Sequence, residues 1–146
     1  MEKMIYEIIN PNLYPELLVI WESAVKATHD FLKEEDFNFY KSKIISDYFP
    51  QLKLYAHYSD NKQITGFMGI DDNKLEMLFV HDSFRGKGIG RKLLKYAVNI
   101  LNVNKVDVNE QNHQAIGFYE AFGFINVSRS ETDGSGKSYP ILHMSL

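Results

Sequence analysis

The run Arg85-Gly86-Lys87-Gly88-Ile89-Gly90 constrains this chain more than any other stretch. Before it, Leu75, Met77 and Phe79 alternate with Glu76, Leu78 and Val80, the period-two pattern of a strand. After it, Ile89, Leu93, Ala97, Ile100 and Leu101 recur at helical spacing, which predicts a helix over 89–101 that buries all five. Three glycines in five positions on a strand-to-helix turn mean close backbone approach, or angles that a Cβ forbids. Such a turn points free N–H groups outward at the positive end of the helix dipole. Arg85, Lys87, Arg91 and Lys92 add whole charges. The turn is built to hold a phosphate. It is not a Walker loop, because Arg91-Lys92 follows Gly90 where Lys-Ser or Lys-Thr is required. It is not a dinucleotide fingerprint either, since a single residue separates Gly88 from Gly90.

The bulk numbers narrow the class. A length of 146 residues, 45% of them hydrophobic, suits one domain over 1–146 with a proper core. A net charge of −3 argues against nucleic acid as a partner, which needs a basic surface. With no cysteine, disulfides, Cys-ligated zinc and thiol nucleophiles are excluded. No apolar run approaches the roughly 18–20 residues of a membrane span. The start, Met1 to Glu7, lacks the apolar core of a signal peptide, so no membrane partner and a cytoplasmic location are expected.

Periodicity places the other elements. Met4–Ile9 reads as a first strand. Pro11 and Pro15 bracket the start of a helix carrying Leu17, Ile20, Trp21, Ala24 and Val25. Phe37, Tyr40, Ile44, Ile45 and Tyr48 predict a second helix ending before Pro50. Leu52, Leu54, Ala56 and Tyr58 predict a strand with one buried face. Strands over 63–70 and 105–109 follow. Ala115, Phe118, Tyr119 and Phe122 share one face of a helix capped by Gly123. Strands over 124–130 and 139–145 flank an Asp133-Gly134-Ser135-Gly136 loop. Gly134-Ser135-Gly136-Lys137-Ser138 imitates the end of a P-loop, but Glu131 stands where its first glycine belongs, and a strand follows. The order is β-α-α-β-β-β-α-β-α-β-β. His57, His81, His113 and His143 have no ligand spacing, so no metal is expected.

Two motifs now converge. The glycine turn resembles the pyrophosphate loop of the GNAT (Gcn5-related) N-acetyltransferases, Arg/Gln-x-x-Gly-x-Gly/Ala. About twenty residues on, Asn112, Ala115, Phe118-Tyr119 and Gly123-Phe124 resemble that family's second signature at its spacings. Ile20-Trp21, Ala27-Thr28-His29-Asp30-Phe31-Leu32 and Arg129-Ser130-Glu131 with Tyr139-Pro140 resemble the small bacterial acetyltransferases of the YjaB type.

The resemblance implies an α/β (α+β) fold of the GNAT type. That is a mixed, mostly antiparallel sheet of six to seven strands flanked by four helices. It implies acetyl-CoA as co-substrate and direct attack by an amine. Backbone groups of Leu78, Phe79 and Val80 would pair with the pantetheine arm like an added strand. The pyrophosphate would meet the N–H groups of Arg85, Gly86, Lys87, Gly88, Ile89, Gly90 and Arg91. Asn112, with Ala115 and Phe118 on the same helix, would hold the pantetheine side. Asn112 reads equally well as a helix N-cap.

Tyr119 resembles the family's general acid for the departing thiolate. A phenol near pKa 10 facing a thiol near 8.5 makes that transfer uphill by about 2 kcal/mol, which a pocket must offset. Two groups compete as general base. Glu76 sits on the coenzyme strand, where alternation turns it away from Leu75 and Met77. His29 titrates near neutrality and lies among the first helices. Trp21, Phe31 and Tyr40 are candidates for the acceptor wall, or ordinary core aromatics. The expected acceptor is a small primary amine; a protein amine and a non-catalytic acyl-CoA sensor are the alternatives. The family resemblance leaves monomer and homodimer both open.

Overall fold

The computed structural model describes residues 4–146, so Met1–Lys3 of the N-terminal run lie outside it. The first strand, β1 (Ile5–Ile8), leads through a short 3-10 turn into α1 (Tyr14–Thr28) and α2 (Glu34–Lys43). Then come β2 (Lys53–Tyr58), β3 (Ile64–Asp71), β4 (Lys74–Val80), α3 (Ile89–Asn99) and β5 (Lys105–Asn109). The chain closes with α4 (His113–Phe122), β6 (Ile125–Ser130) and β7 (Ile141–Ser145). The element order is the expected one.

All seven strands form one sheet in the order β1-β2-β3-β4-β5-β7-β6. Every neighbouring pair is antiparallel except β4 and β5. A parallel pair requires a crossover, and α3 supplies it. One apolar layer lies between the sheet and α3 with α4. It includes Met68, Leu75, Leu93, Leu94, Val106, Val108 and Tyr119. A second layer lies between the other face and α1, with Leu17, Trp21, Phe49, Leu54 and Phe67. Strand β3 is buried on both faces over Ile64–Ile70 and is the spine of the molecule.

Three expectations fail for physical reasons. The second helix does not run unbroken to Tyr48. It leaves α geometry after Lys43 and takes one π turn over Ile44–Tyr48, with the Phe49 N–H bonded to the Ile44 carbonyl. The extra residue lets both Ile44 and Phe49 reach the core, at 1% and 0% exposure. Helix α3 stops at Asn99, and Ile100 is 60% exposed rather than buried. Strand β2 does not bury a single face: His57 is buried beside Ala56, where a register shift interrupts the ladder to β3.

Candidate active site

Strands β4 and β5 pair only at their beginnings, Lys74 with Lys105 and Leu75 with Val106. Beyond that point they part. On its other side β4 stays bonded to β3 as far as Val80, and β5 stays bonded to β7 as far as Asn109. The gap opens into a cleft of about 530 Å³ whose walls are β4, β5, the glycine turn, the first turns of α4 and the end of α1. The free edge of Leu78, Phe79 and Val80 faces it.

The glycine turn has the geometry that its composition implies. Gly86 has φ +77° and Gly88, the N-cap of α3, has φ +80°. A Cβ at either position would meet nothing within 4 Å, so the backbone is bare toward the cleft. No acceptor within the described residues is bonded to the N–H groups of residues 86–91. Arg85 is fixed at the rim by Asp82 at 3.3 Å and by Gln114 of α4 at 2.9 Å. A row of unbonded N–H groups at a helix start, with an arginine beside it, fits a pyrophosphate. The unpaired β4 edge fits an amide-bearing arm.

Sequence comparison agrees with this geometry. A family model for the acetyltransferase (GNAT) domain matches residues 23–145. The chain belongs to the GNAT acetyltransferase family. It is 38% identical over 132 residues to the peptidyl-lysine N-acetyltransferase YjaB of Salmonella typhimurium, covering 88% of each chain. The Escherichia coli protein of that name is 37% identical over 132 residues, covering 88% of this chain and 87% of that one. The solution structure of apo YjaB from E. coli superimposes with a TM-score of 0.89 at 35% identity, covering 99% of this chain and 97% of that one. The PaiA N-acetyltransferase of Thermoplasma acidophilum, solved with coenzyme A, shares the fold at 20% identity and a TM-score of 0.72, covering 99% of this chain and 100% of that one. This GNAT chain is thus an acetyl-CoA-dependent acyltransferase.

In this GNAT enzyme the cleft collects nearly every residue singled out from the sequence. Tyr119, Glu76 and His29 line it, as do Leu78, Phe79, Val80, Arg85, Gly86, Gly88, Ile89, Gly90, Arg91, Asn112, Ala115 and Phe118. Lys87 does not; its ammonium lies 5.5 Å over the Phe84 ring. Asn112 caps α4, its Oδ1 accepting from the Ala115 N–H at 3.2 Å. Its side-chain N–H groups have no partner among the described residues, while its backbone N–H donates to the Asn109 carbonyl at 3.0 Å.

Trp21 is core, stacked on Phe37 at 5.1 Å, and Tyr40 donates to the Asp133 carboxylate. Neither these two nor Phe31 lines the cleft. From α1 Ala24 and Thr28 reach it, joined by the C-cap residue His29. Among the described residues, no group of three or more His, Asp or Glu is placed to hold a metal.

Tyr119 is 6% exposed, and its hydroxyl has no partner among the described residues. Burial pushes its pKa well above the ordinary 10. The phenol therefore stays protonated at any working pH, but as an acid it is weaker than a free tyrosine.

His29 differs in its wiring. Thr28 Oγ1 donates to the Ala24 carbonyl at 2.7 Å, so its one proton is spent. The 2.8 Å contact between Thr28 Oγ1 and His29 Nδ1 must then run from the imidazole, which puts the ring proton on Nδ1 and a lone pair on Nε2. Burial lowers the His29 pKa against the opposing charge of Asp30, so the ring is neutral at pH 7.

Glu76 departs from the simple alternation. Gly69 pairs with Met77 and Ile70 with Leu75, so Glu76 is an extra residue in the ladder, a β-bulge. The bulge flips the parity: Leu75 packs under α3 while Met77 packs toward α1. Glu76 lies at the cleft wall with Oε1 at 3.1 Å from Lys74 Nζ. Lys74 also bonds Asp107 Oδ2 at 3.0 Å. Burial works against the Lys74 charge, but the bonds to Asp107 and Glu76 outweigh it and hold its pKa above the usual range. Asp107 lines the cleft too, a residue that strand periodicity alone does not single out. The signal was its place between Val106 and Val108, which turns it to the opposite face; its meeting with Glu76 depends on the pairing of β4 with β5.

Proposed function

We propose that this enzyme transfers the acetyl group of acetyl-CoA to the side-chain amine of peptidyl lysine by direct attack. The observation that carries the reading is the single cleft between β4 and β5. There the bare glycine turn, the free β4 edge and the unpartnered Tyr119 hydroxyl face one space. The lysine acceptor is supported by the name of the relatives at 37–38% identity. A small primary amine is the second reading. It is compatible with the carboxylates Glu76 and Asp107 at the cleft wall, which suit an ammonium whatever carries it.

The steps follow from the side chains. A lysine amine near pKa 10.4 arrives mostly protonated. His29 Nε2 takes a proton, since that lone pair has no partner among the described residues and the ring is neutral. The amine nitrogen attacks the thioester carbonyl, the C–S bond breaks, and the electron pair stays on sulfur. Tyr119 donates its hydrogen bond to that sulfur. Because burial weakens it as an acid, its contribution is stabilising the thiolate, with the proton finally supplied from the nitrogen. N–H groups 86–91 and Arg85 hold the pyrophosphate, and Asn112 offers its amide donors to the pantetheine side.

Tyr119→Phe is the test. The expected outcome is a fall in kcat of about 10²-fold with the KM for acetyl-CoA unchanged. A core role predicts something else, because the hydroxyl has no partner to lose: unaltered melting and unaltered rate. Thiol release measured with a lysine peptide and with n-butylamine separates the two acceptors. An unchanged kcat in Tyr119→Phe sinks its role.

A further inference from the structure

Val106 and Val108 of β5, and Met144 and Leu142 of β7, turn into the layer beneath α3 and α4. Asp107 and His143, directly paired across the two strands, therefore turn to the opposite face, the one toward α1. There they form a chain of contacts. Asp107 Oδ1 lies 2.7 Å from His143 Nδ1, and His143 Nε2 lies 2.6 Å from Ser130 Oγ. The other Asp107 oxygen bonds Lys74, and Lys74 bonds Glu76. Asp107 and Glu76 both line the cleft; Lys74 and His143 do not. Two carboxylates and one ammonium leave a single net negative charge at the cleft wall. The same cleft contains Tyr119, nine-tenths buried with an unpartnered hydroxyl.

We propose that Asp107 and Glu76 form the subsite that receives the acceptor's ammonium, and that His143 holds Asp107 in place for it. The proposal rests on an amine acceptor and adds to it the groups that hold the amine. The His143 imidazole orients Asp107 through its 2.7 Å contact, and the two carboxylates with Lys74 leave a net charge of −1 that matches one cation. The groups facing His143 are Asp107 from β5, with Lys74 and Glu76 of β4 behind it. From β6 comes Ser130, whose neighbour Arg129 is occupied by Glu110 at 2.9 Å. His143 is a positioning residue, since it does not touch the cleft.

The test uses the whole protein, acetyl-CoA, and two acceptors, a lysine-containing peptide and n-butylamine. Asp107→Asn is expected to raise the KM for either acceptor about tenfold, with the KM for acetyl-CoA unchanged. His143→Ala removes the group that holds Asp107 and is expected to raise the acceptor KM severalfold with the KM for acetyl-CoA unchanged, whereas His143→Gln, which keeps a hydrogen-bond donor beside Asp107, is expected to restore most of the loss. Coenzyme A affinity by calorimetry confirms that each variant retains its donor site. An acceptor KM unchanged in Asp107→Asn, or one raised as far in His143→Gln as in His143→Ala, overturns the subsite. Native turnover of n-butylamine but not of the peptide overturns only the lysine reading.

Discussion

Gly88 shows how far one residue decides function. Its φ of +80° is a conformation that costs an L residue about 1–2 kcal/mol, and more for a β-branched one. The space beyond its Cα is open, since no atom of the described residues lies within 4 Å of where a Cβ would stand. Gly88→Val therefore strains the α3 cap and projects an isopropyl group over the N–H row. We expect the coenzyme A Kd to rise by about tenfold or more in calorimetry, with a lowered melting temperature. An unaltered Kd would remove the turn from donor binding. This glycine was legible in the sequence because no other residue type answers the same need. The wiring of His29 was not: its tautomer depends on where Thr28 spends its proton, and that is a matter of angles at the end of α1.

Elements place these residues, and β3 and β4 matter most. Gly66 of β3 lies opposite Val80, and a Cβ there would sit 3.0 Å from the Phe79 carbonyl oxygen and 3.2 Å from Val80 Cγ2. Backbone cannot yield as a side-chain tip can. Gly66→Ala should push β4 away from β3, costing about 1–3 kcal/mol in denaturant unfolding. The same shift should weaken coenzyme A binding, because Phe79 belongs to the free edge. Retained stability together with retained affinity would contradict that close packing. The strands themselves were readable from alternation. The bulge at Glu76 was not, since an extra residue in a ladder is defined by its partner strand. It reverses which side chains face α1, so the sequence reading of Glu76 against Leu75 and Met77 failed there.

The whole molecule is two apolar layers on one sheet, and buried imidazoles make its stability depend on pH. His57 is 5% exposed; its Nδ1 meets Thr65 Oγ1 at 2.7 Å, while Nε2 has no partner among the described residues. Burial, and then Lys92, lowers its pKa, and burial lowers that of His29. Below the ordinary imidazole value near 6.5, the unfolded chain takes up protons that the folded one refuses. Stability is then fully present above about pH 6.5 and falls with acidification until the folded pKa is reached. Each imidazole contributes at most about 1.4 kcal/mol per pH unit. Calorimetric melting should drop between pH 7 and 5, less steeply in His57→Gln, and a flat profile would refute the buried-neutral assignment.

By itself the sequence determined the order of the elements, the glycine turn, and the Asn112 to Phe124 signature. Each depends on neighbours within a few residues: side-chain period, the freedom of glycine, and the capping of a helix. Only the tertiary structure decided that β4 and β5 part after Leu75 and Val106. The same holds for the bulge that sets Glu76 at the wall, and for Asp107 meeting Lys74 from 33 residues away. Those are contacts between strands distant in the chain, and their register is fixed by which faces find cover in the two layers, not by local preference.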